Sequence, residues 1–159
     1  MTWQKILASQ TNANSPLNQP LFDSIRTNLE SLAESLVLVS LEVEKSVSFV
    51  GSWTAVKSGR MFVPECANSL EASIECMVNT TTSGRKIRLK VENGAGGFNL
   101  STEAEVPVAG YDYVNLDCPA EGDLVGAGAW RKWWIEVNHS ESVSRTFSVR
   151  DVVIRVKSA

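Results

Sequence analysis

The sequence predicts an antiparallel β-sandwich or jelly roll, preceded by an N-terminal arm and one amphipathic α-helix. Two observations indicate this fold class: apolar residues recur every three or four positions up to Val39, and every second position from Ser46 onward. The first spacing is typical of a helix and the second of strands with one buried face. Because 159 residues suffice for one main domain, we assign residues 1–45 to the arm and helix and residues 46–159 to the sandwich.

The arm, residues 1–17, is polar and turn-prone apart from three apolar side chains, Trp3, Ile6 and Leu7. In an arm surrounded by water these side chains would stay exposed unless they contact another surface. Two interpretations remain open. The arm folds back onto its own domain, or it anchors the protein to a partner.

The helix is predicted to begin near Pro20, because Asn18 can accept a hydrogen bond from the first turn and proline is tolerated there. Its apolar stripe consists of Phe22, Ile25, Leu29, Leu32, Leu36 and Val39. A seam this short does not hold an independent coiled coil. We therefore expect it to pack on the sandwich, on a neighbouring protein, or on copies of itself about a symmetry axis.

The strands follow from period-two patterns separated by turn-rich segments. A first strand from Ser46 contains Val47 and Phe49 and can extend to Trp53. Residues 70–78 and 87–91 alternate in the same way. Further strands are predicted at residues 104–109, 112–118, 130–138 and 145–157. In the last of them the apolar phase shifts at Arg150 and Asp151, which indicates a β-bulge. Strands without intervening helices favour a sandwich over an α/β sheet.

Charge and composition argue against several classes of partner. The formal net charge is −3, so the chain lacks the positive field that phosphate backbones require, and nucleic acid is not an expected partner. No stretch approaches the roughly 20 consecutive apolar residues of a membrane span, and the first apolar run is too short for a secretory signal. The spacing of Cys66, Cys76 and Cys118 matches no zinc site. We expect synthesis in a cytoplasm, with reduced thiols and no membrane partner.

The residue types that usually carry catalysis predict no enzyme. His139 is the only histidine, and it is predicted to lie in a polar turn, without apolar packing or the carboxylate partner of a catalytic triad. Cys76 and Cys118 fall in phase with apolar neighbours and are expected in the core. The glycines form no phosphate-binding loop followed by a helix, so no cofactor is expected.

Four carboxylates lie close together in the sequence: Asp112, Asp117, Glu121 and Asp123. Oxygen ligands at this density can hold Ca²⁺, but their spacing matches no calcium-loop signature. Calcium binding and solvated turn carboxylates both remain open, and no metal site is assigned.

The predicted strand that contains three tryptophans is the most informative surface feature. Alternation places Trp133 on the core side and leaves Trp130 and Trp134 on the outer face, beside Lys132 and Glu136. Outward tryptophans need a partner for their large apolar area. Three interpretations remain open: the helix or a neighbouring subunit covers the two tryptophans, they stack on sugar rings, or they are simply exposed to solvent.

Two segments resemble known proteins. Residues 15–32, SPLNQPLFDSIRTNLESL, resemble the opening of small virion structural proteins of tailed bacteriophages, in which a polar arm leads into a helix and then a β-sandwich. Residues 147–156, FSVRDVVIRV, are similar to the final strands of carbohydrate-binding jelly rolls. The first resemblance covers only the segment before the sandwich, and the second bears on the fold more than on the activity.

The phage resemblance implies a head-decoration protein or a neck or tail accessory protein, often trimeric and located in the virion. In this interpretation the apolar side chains of the arm and the helical stripe anchor the protein to capsid or tail subunits. The alternative is a carbohydrate-binding module for host-surface glycans that uses Trp130, Trp134, Tyr111 and Tyr113.

Overall fold

Two antiparallel β-sheets pack face to face, which confirms the predicted sandwich. The computed structural model describes residues 22–28, 37–42, 44–49, 51–64, 67, 69–80, 84–108, 110–119 and 128–157. Its strands are β1 (Val37–Leu41), β2 (Lys45–Phe49), β3 (Thr54–Val63), β4 (Ser69–Val78), β5 (Lys86–Glu92), β6 (Phe98–Leu100), β7 (Ala104–Glu105), β8 (Asp112–Pro119), β9 (Ala129–Asn138) and β10 (Arg145–Lys157). A helix, α1, is described over residues 22–28.

The two sheets divide the strands without following chain order. Sheet A has the strand order β1, β10, β4, β8, and its fifth strand, β2, also pairs with β10. Sheet B has the strand order β3, β9, β5, β6, and its fifth strand, β7, also pairs with β5. Strand β10 pairs with β4 along one edge and with β2 and then β1 along the other. This arrangement gives the sandwich two outer faces, each built from strands that are distant in the sequence.

The core lies between the sheets and follows the predicted alternation. Every second residue of β4 and β5 is buried, as expected for strands with one face in the core. Cys76 and Cys118 are 1% and 0% exposed, which confirms their predicted place in the core. Burial raises the pKa of both thiols to about 12, because the apolar surroundings disfavour the thiolate.

Two β-bulges face each other across the sandwich. The register of β10 against β4 shifts between Val149 and Asp151, which confirms the predicted bulge. A second shift lies between Ala55 and Lys57 on β3. Lys57 is 8% exposed as a residue, and its ammonium donates to the carbonyl oxygen of Arg150 at 3.4 Å. Desolvation lowers the pKa of Lys57, since burial penalises its charged form.

The predicted helical stripe is wrong at its C-terminal end. Val39, expected on the helix, lies in β1, pairs with Ile154 and is buried in the core. Its segment, VLVSL, is rich in branched side chains, and pairing with the exposed edge of β10 overrides the helical spacing. The sandwich therefore includes strand β1, on the N-terminal side of the boundary predicted between residues 45 and 46.

Strands β3 and β7 also differ from the prediction. The strand expected at residues 104–109 is reduced to β7, and Val108 makes only an isolated parallel bridge to Val78. Strand β3 was not predicted, because Lys57 and Gly59 occupy positions on its inner face where apolar residues are expected.

Within the part of the chain that the structure describes, no helix is long and apolar enough to cross a bilayer.

Candidate functional site

The outer face of sheet B carries the tryptophans that alternation predicted. Trp133 is 1% exposed and packs in the core, whereas Trp130, on the same strand, is 60% exposed. Trp134 follows Trp133 and shares the outer face with Trp130. Strand β9 lies between β3 and β5, so its outward side chains occupy the middle of this face and not a rim.

Two aromatic pairs lie on this face. The rings of Phe62 and Trp130 meet edge to face, with centroids 6.0 Å apart at 71°. Phe98 and Trp134 meet in the same way, at 5.6 Å and 81°. The two tryptophans lie four residues apart on one extended strand, so about 14 Å separates them along it. Edge-to-face pairing fixes the planes of these rings relative to each other.

A hydrogen-bonded network of charged side chains lies beside the aromatic pairs. Arg88 donates to one carboxylate oxygen of Glu136 at 2.9 and 2.7 Å, and Lys90 donates to the other at 3.2 Å. Glu136 is only 7% exposed, so these charge-assisted bonds contribute strongly. The network holds donors and an acceptor at fixed positions in the sheet surface.

Each cation of the network also contacts an aromatic ring. The Lys90 ammonium lies 4.2 Å from the centroid of Phe98 and 5.5 Å from that of Trp134. The Arg88 guanidinium lies 3.8 Å from the centroid of Trp53. Cation–π contacts of this kind orient both partners. The aromatic and charged groups therefore form one preorganised surface, which we call the aromatic face: Trp53, Phe62, Arg88, Lys90, Phe98, Trp130, Trp134 and Glu136.

A pocket of about 210 Å³ adjoins the aromatic face at strand β6. It is lined by Phe98, Asn99, Leu100 and Pro119. The Asn99 side chain is 6% exposed and donates to the carbonyl oxygen of Pro119 at 3.3 Å. Phe98 therefore belongs to both the pocket and the aromatic face.

The structure does not bring Tyr111 and Tyr113 together with the outward tryptophans. Tyr113 lies on strand β8 of sheet A, on the outer face of the opposite sheet. Its hydroxyl donates to Asp151 at 3.1 Å, and that bond raises the pKa of Tyr113. Tyr111 donates to Glu44 at 2.7 Å, with the Arg150 guanidinium 4.2 Å from its ring centroid. Sequence alternation could not assign β8 and β9 to different sheets.

The acidic cluster is divided between described and undescribed residues. Asp117 forms an ion pair with Lys157 at 2.7 Å, while Glu121 and Asp123 lie outside the described residues. Across the residues that are described, no group of three His, Cys, Asp or Glu side chains is placed to hold a metal ion.

His139 is buried, and the prediction of an unpacked position in a polar turn was wrong. Its side chain is 3% exposed and stacks on Phe147, with centroids 5.8 Å apart at 22°. The backbone N–H of Glu141 donates to its Nδ1 at 3.2 Å. The apolar partner comes from β10, beyond the turn that follows His139, so the polar local sequence gave no sign of it.

The predicted anchor is only partly described. Phe22 and Ile25 lie on α1 and are 51% and 39% exposed. Val39 lies in β1, where it is buried. The other anchor residues lie outside the described residues: Trp3, Ile6, Leu7, Leu29, Leu32 and Leu36.

Sequence reasoning missed the neighbours of Trp134 on the aromatic face. Arg88 and Lys90 alternate with Ile87 and Leu89 on β5, so a search for charged residues in the outward phase of predicted strands would have found them. Phe98 follows a glycine-rich turn and lies in a strand of three residues, which leaves no periodic signal.

No protein-family model matches the chain, and no curated protein is detectably similar to it in sequence. Among solved structures, it is similar to the CBM22-1 xylan-binding domain of Xyn10C from Paenibacillus barcinonensis, at 12% identity over 79% of this chain and 97% of that one, with a TM-score of 0.44. It is also similar to TmCBM61 in complex with β-1,4-galactotriose, at 18% identity over 76% and 70% of the two chains, with a TM-score of 0.41.

A viral protein matches to a comparable degree. The chain is similar to a protein of infectious bursal disease virus, Gt strain, at 12% identity over 76% of this chain and 32% of that one, with a TM-score of 0.43. At these TM-scores the three likenesses do not extend to a ligand or a function.

Proposed function

We propose that this chain is a non-catalytic carbohydrate-binding module whose ligand lies on the aromatic face of sheet B. One observation carries the proposal: Trp130 and Trp134 share an outer face with the Arg88, Lys90 and Glu136 network. A sugar ring presents C–H groups on its faces, which pack on aromatic rings, and hydroxyls at its edge, which exchange hydrogen bonds with charged side chains.

The spacing of the tryptophans favours an extended ligand. The distance of about 14 Å along β9 is longer than one sugar ring, so a ligand that contacts both tryptophans contains several linked sugars. Because the ring pairs and the Glu136 network are held in place before binding, little ordering entropy is lost at the protein surface. The face thus suits a chain of sugars more than a single small molecule.

Binding to a glycan array, followed by calorimetry with the best polysaccharide, tests the proposal. Trp134→Ala removes a central contact, and loss of about 2 kcal/mol of binding energy, or about 30-fold in affinity, is expected for a hot-spot residue. Tyr113→Ala is the matched control, since it removes an exposed aromatic side chain from the other sheet. Absence of binding to every glycan, or equal losses in both variants, would overturn the proposal.

A second candidate is a structural component of a tailed-phage virion, which the exposed side chains of α1 support. Phe22 and Ile25 present apolar surface on a helix that precedes the sandwich, and burying such side chains against capsid or tail subunits would stabilise docking by about 1.5–3 kcal/mol each. Deletion of residues 1–17 is expected to abolish incorporation into particles and to leave the sandwich folded. Normal incorporation of the deletion variant would remove this candidate.

A further inference from the structure

Two further cations lie directly opposite each other on the outer face of sheet B, among the residues of the aromatic face. Arg60 on β3 pairs in register with Lys132 on β9, and both side chains are exposed. Along these two strands, the Arg60 and Lys132 pair lies between the pair of Phe62 with Trp130 and the pair that contains Trp134. Like charges at directly opposite positions of neighbouring strands destabilise a sheet, so this pair opposes folding where it lies.

These two cations differ from the others on the same face. Arg88 and Lys90 share the carboxylate of Glu136. By contrast, within the residues that the structure describes, neither Arg60 nor Lys132 has a carboxylate oxygen within 4.0 Å of its side-chain nitrogens. A carboxylate of strand β5 lies on the far side of Lys132 from Arg60, where Glu92 accepts a hydrogen bond from the backbone N–H of Lys132 at 3.3 Å. The space between the Arg60 and Lys132 side chains therefore lies between two cations that form no ion pair of their own.

The charge of the whole face has the opposite sign to that of the chain. The outward positions of β3, β5, β7 and β9 carry five cations and three carboxylates, which gives two net positive charges, whereas the chain has a net charge of −3. The cations are Arg60, Lys86, Arg88, Lys90 and Lys132, and the carboxylates are Glu92, Glu105 and Glu136. A negatively charged ligand is attracted to this face and repelled by the rest of the surface.

We propose that the glycan bound by the aromatic face is anionic, with an acidic group between Arg60 and Lys132 and sugar rings against Trp130 and Trp134. This inference rests on the proposed carbohydrate-binding function. The guanidinium and the ammonium supply charge-assisted hydrogen bonds to a carboxylate or a sulfate, and the bound anion removes the repulsion between the two cations. A nucleic acid carries a phosphate on every nucleotide. Beyond the Arg60 and Lys132 pair, its further phosphates would be repelled by the acidic remainder of the chain.

The experiment compares polysaccharides that share a backbone and differ in charge. Polygalacturonate and its methyl ester differ only in the free carboxylate, and dextran and dextran sulfate differ only in the sulfate. Calorimetry at about 0.05 M and 0.5 M salt separates the charge contribution to binding. We expect the acidic form in at least one pair to bind about tenfold more tightly at low salt, and less so at high salt. The pair that shows the preference identifies the acidic group.

Arg60→Gln and Lys132→Gln test the assigned position. Each is expected to remove most of the preference for the acidic form, measured as the ratio of the affinities for the acidic and the neutral form. Lys157→Gln is the matched control, because it removes one positive charge from the outer face of sheet A. Circular dichroism and urea unfolding confirm that the variants fold, and their folding is expected because both positions are exposed.

The outcomes separate the two proposals. Binding of neutral and acidic forms with equal affinity, lost in Trp134→Ala, would overturn the anionic ligand and retain carbohydrate binding. An acidic preference that survives in both glutamine variants would overturn the assigned position. Failure to bind any polysaccharide overturns the carbohydrate-binding function itself, and tighter binding of single-stranded oligothymidine than of any glycan would replace both proposals with nucleic-acid binding.

Discussion

Substitution of Gly59 by alanine tests how strand β9 is held beneath the aromatic face. Gly59 pairs directly with Trp133, and a Cβ at this position would lie 2.9, 3.0 and 3.1 Å from three atoms of the indole ring. Carbon atoms in favourable contact lie about 3.5–4.0 Å apart, so the ring would have to move by about 0.5–1 Å. Trp133 is 1% exposed, so a shift of its ring brings it against other residues of the core.

The magnitude follows from two opposing effects. Overpacking a core costs about 1–3 kcal/mol, while replacing glycine by alanine restricts the unfolded chain and returns about 0.4–1 kcal/mol. We therefore expect Gly59→Ala to lower the free energy of unfolding by about 1–2 kcal/mol, measured by urea denaturation with far-UV circular dichroism. Gly110→Ala is the matched control, because no atom of the described residues lies within 4 Å of its added Cβ.

An unfolding midpoint for Gly59→Ala equal to or above that of the parent protein would refute the steric reasoning. A second variant isolates the contact: Trp133→Phe shortens the ring that meets the new Cβ. If the clash is the cause, Gly59→Ala lowers the free energy of unfolding by less in the Trp133→Phe background than in the parent protein, which a double-mutant cycle measures. If the losses of unfolding free energy of the two substitutions simply add, the loss in Gly59→Ala comes from the backbone and not from contact with the Trp133 ring.

Two further predictions concern the charged network and the buried thiols. Glu136→Gln leaves Arg88 and Lys90 without their shared carboxylate, so we expect it to lower the free energy of unfolding by about 2 kcal/mol. The exposed control Glu105→Gln is expected to lower it by less than about 0.5 kcal/mol. Equal losses of the two variants in urea denaturation would contradict the role of the network. In a Cys66→Ser background, Cys76 and Cys118 should resist a thiol reagent at pH 8 until denaturant is added, because burial raises their pKa from 9.0 to about 12. The contribution of the two thiols to stability is complete below about pH 9. It is lost as the pH rises toward 12, because the thiols of the unfolded chain ionise before the buried ones. In the labelling experiment, rapid reaction of the native protein at pH 8 would show that the thiols are accessible.

The sequence predicted those parts of the fold that local alternation determines. Strands β4 and β5 and the bulge near Arg150 lie where their patterns indicate. Alternation also predicted the outward direction of Trp130 and Trp134, because side chains of an extended strand alternate whatever the strand pairs with.

The remainder depends on pairing between distant segments. Val39 fits the spacing of a helical stripe, but the free edge of β10 recruits its segment as a strand. His139 is buried by Phe147, which the polar turn beside it does not reveal. The aromatic face required the strand order of sheet B, since only that order places Phe98 and Lys90 beside Trp134.

The position of β10 within sheet A has a consequence for folding. This strand comes last among the described elements, yet it separates β1 and β2 from β4 and pairs with all three. During synthesis, β1, β2 and β4 leave the ribosome without their common neighbour, so sheet A cannot close until β10 has emerged. Contacts between such distant segments slow folding, and until they form the unpaired edges of the early strands are open to association with other chains.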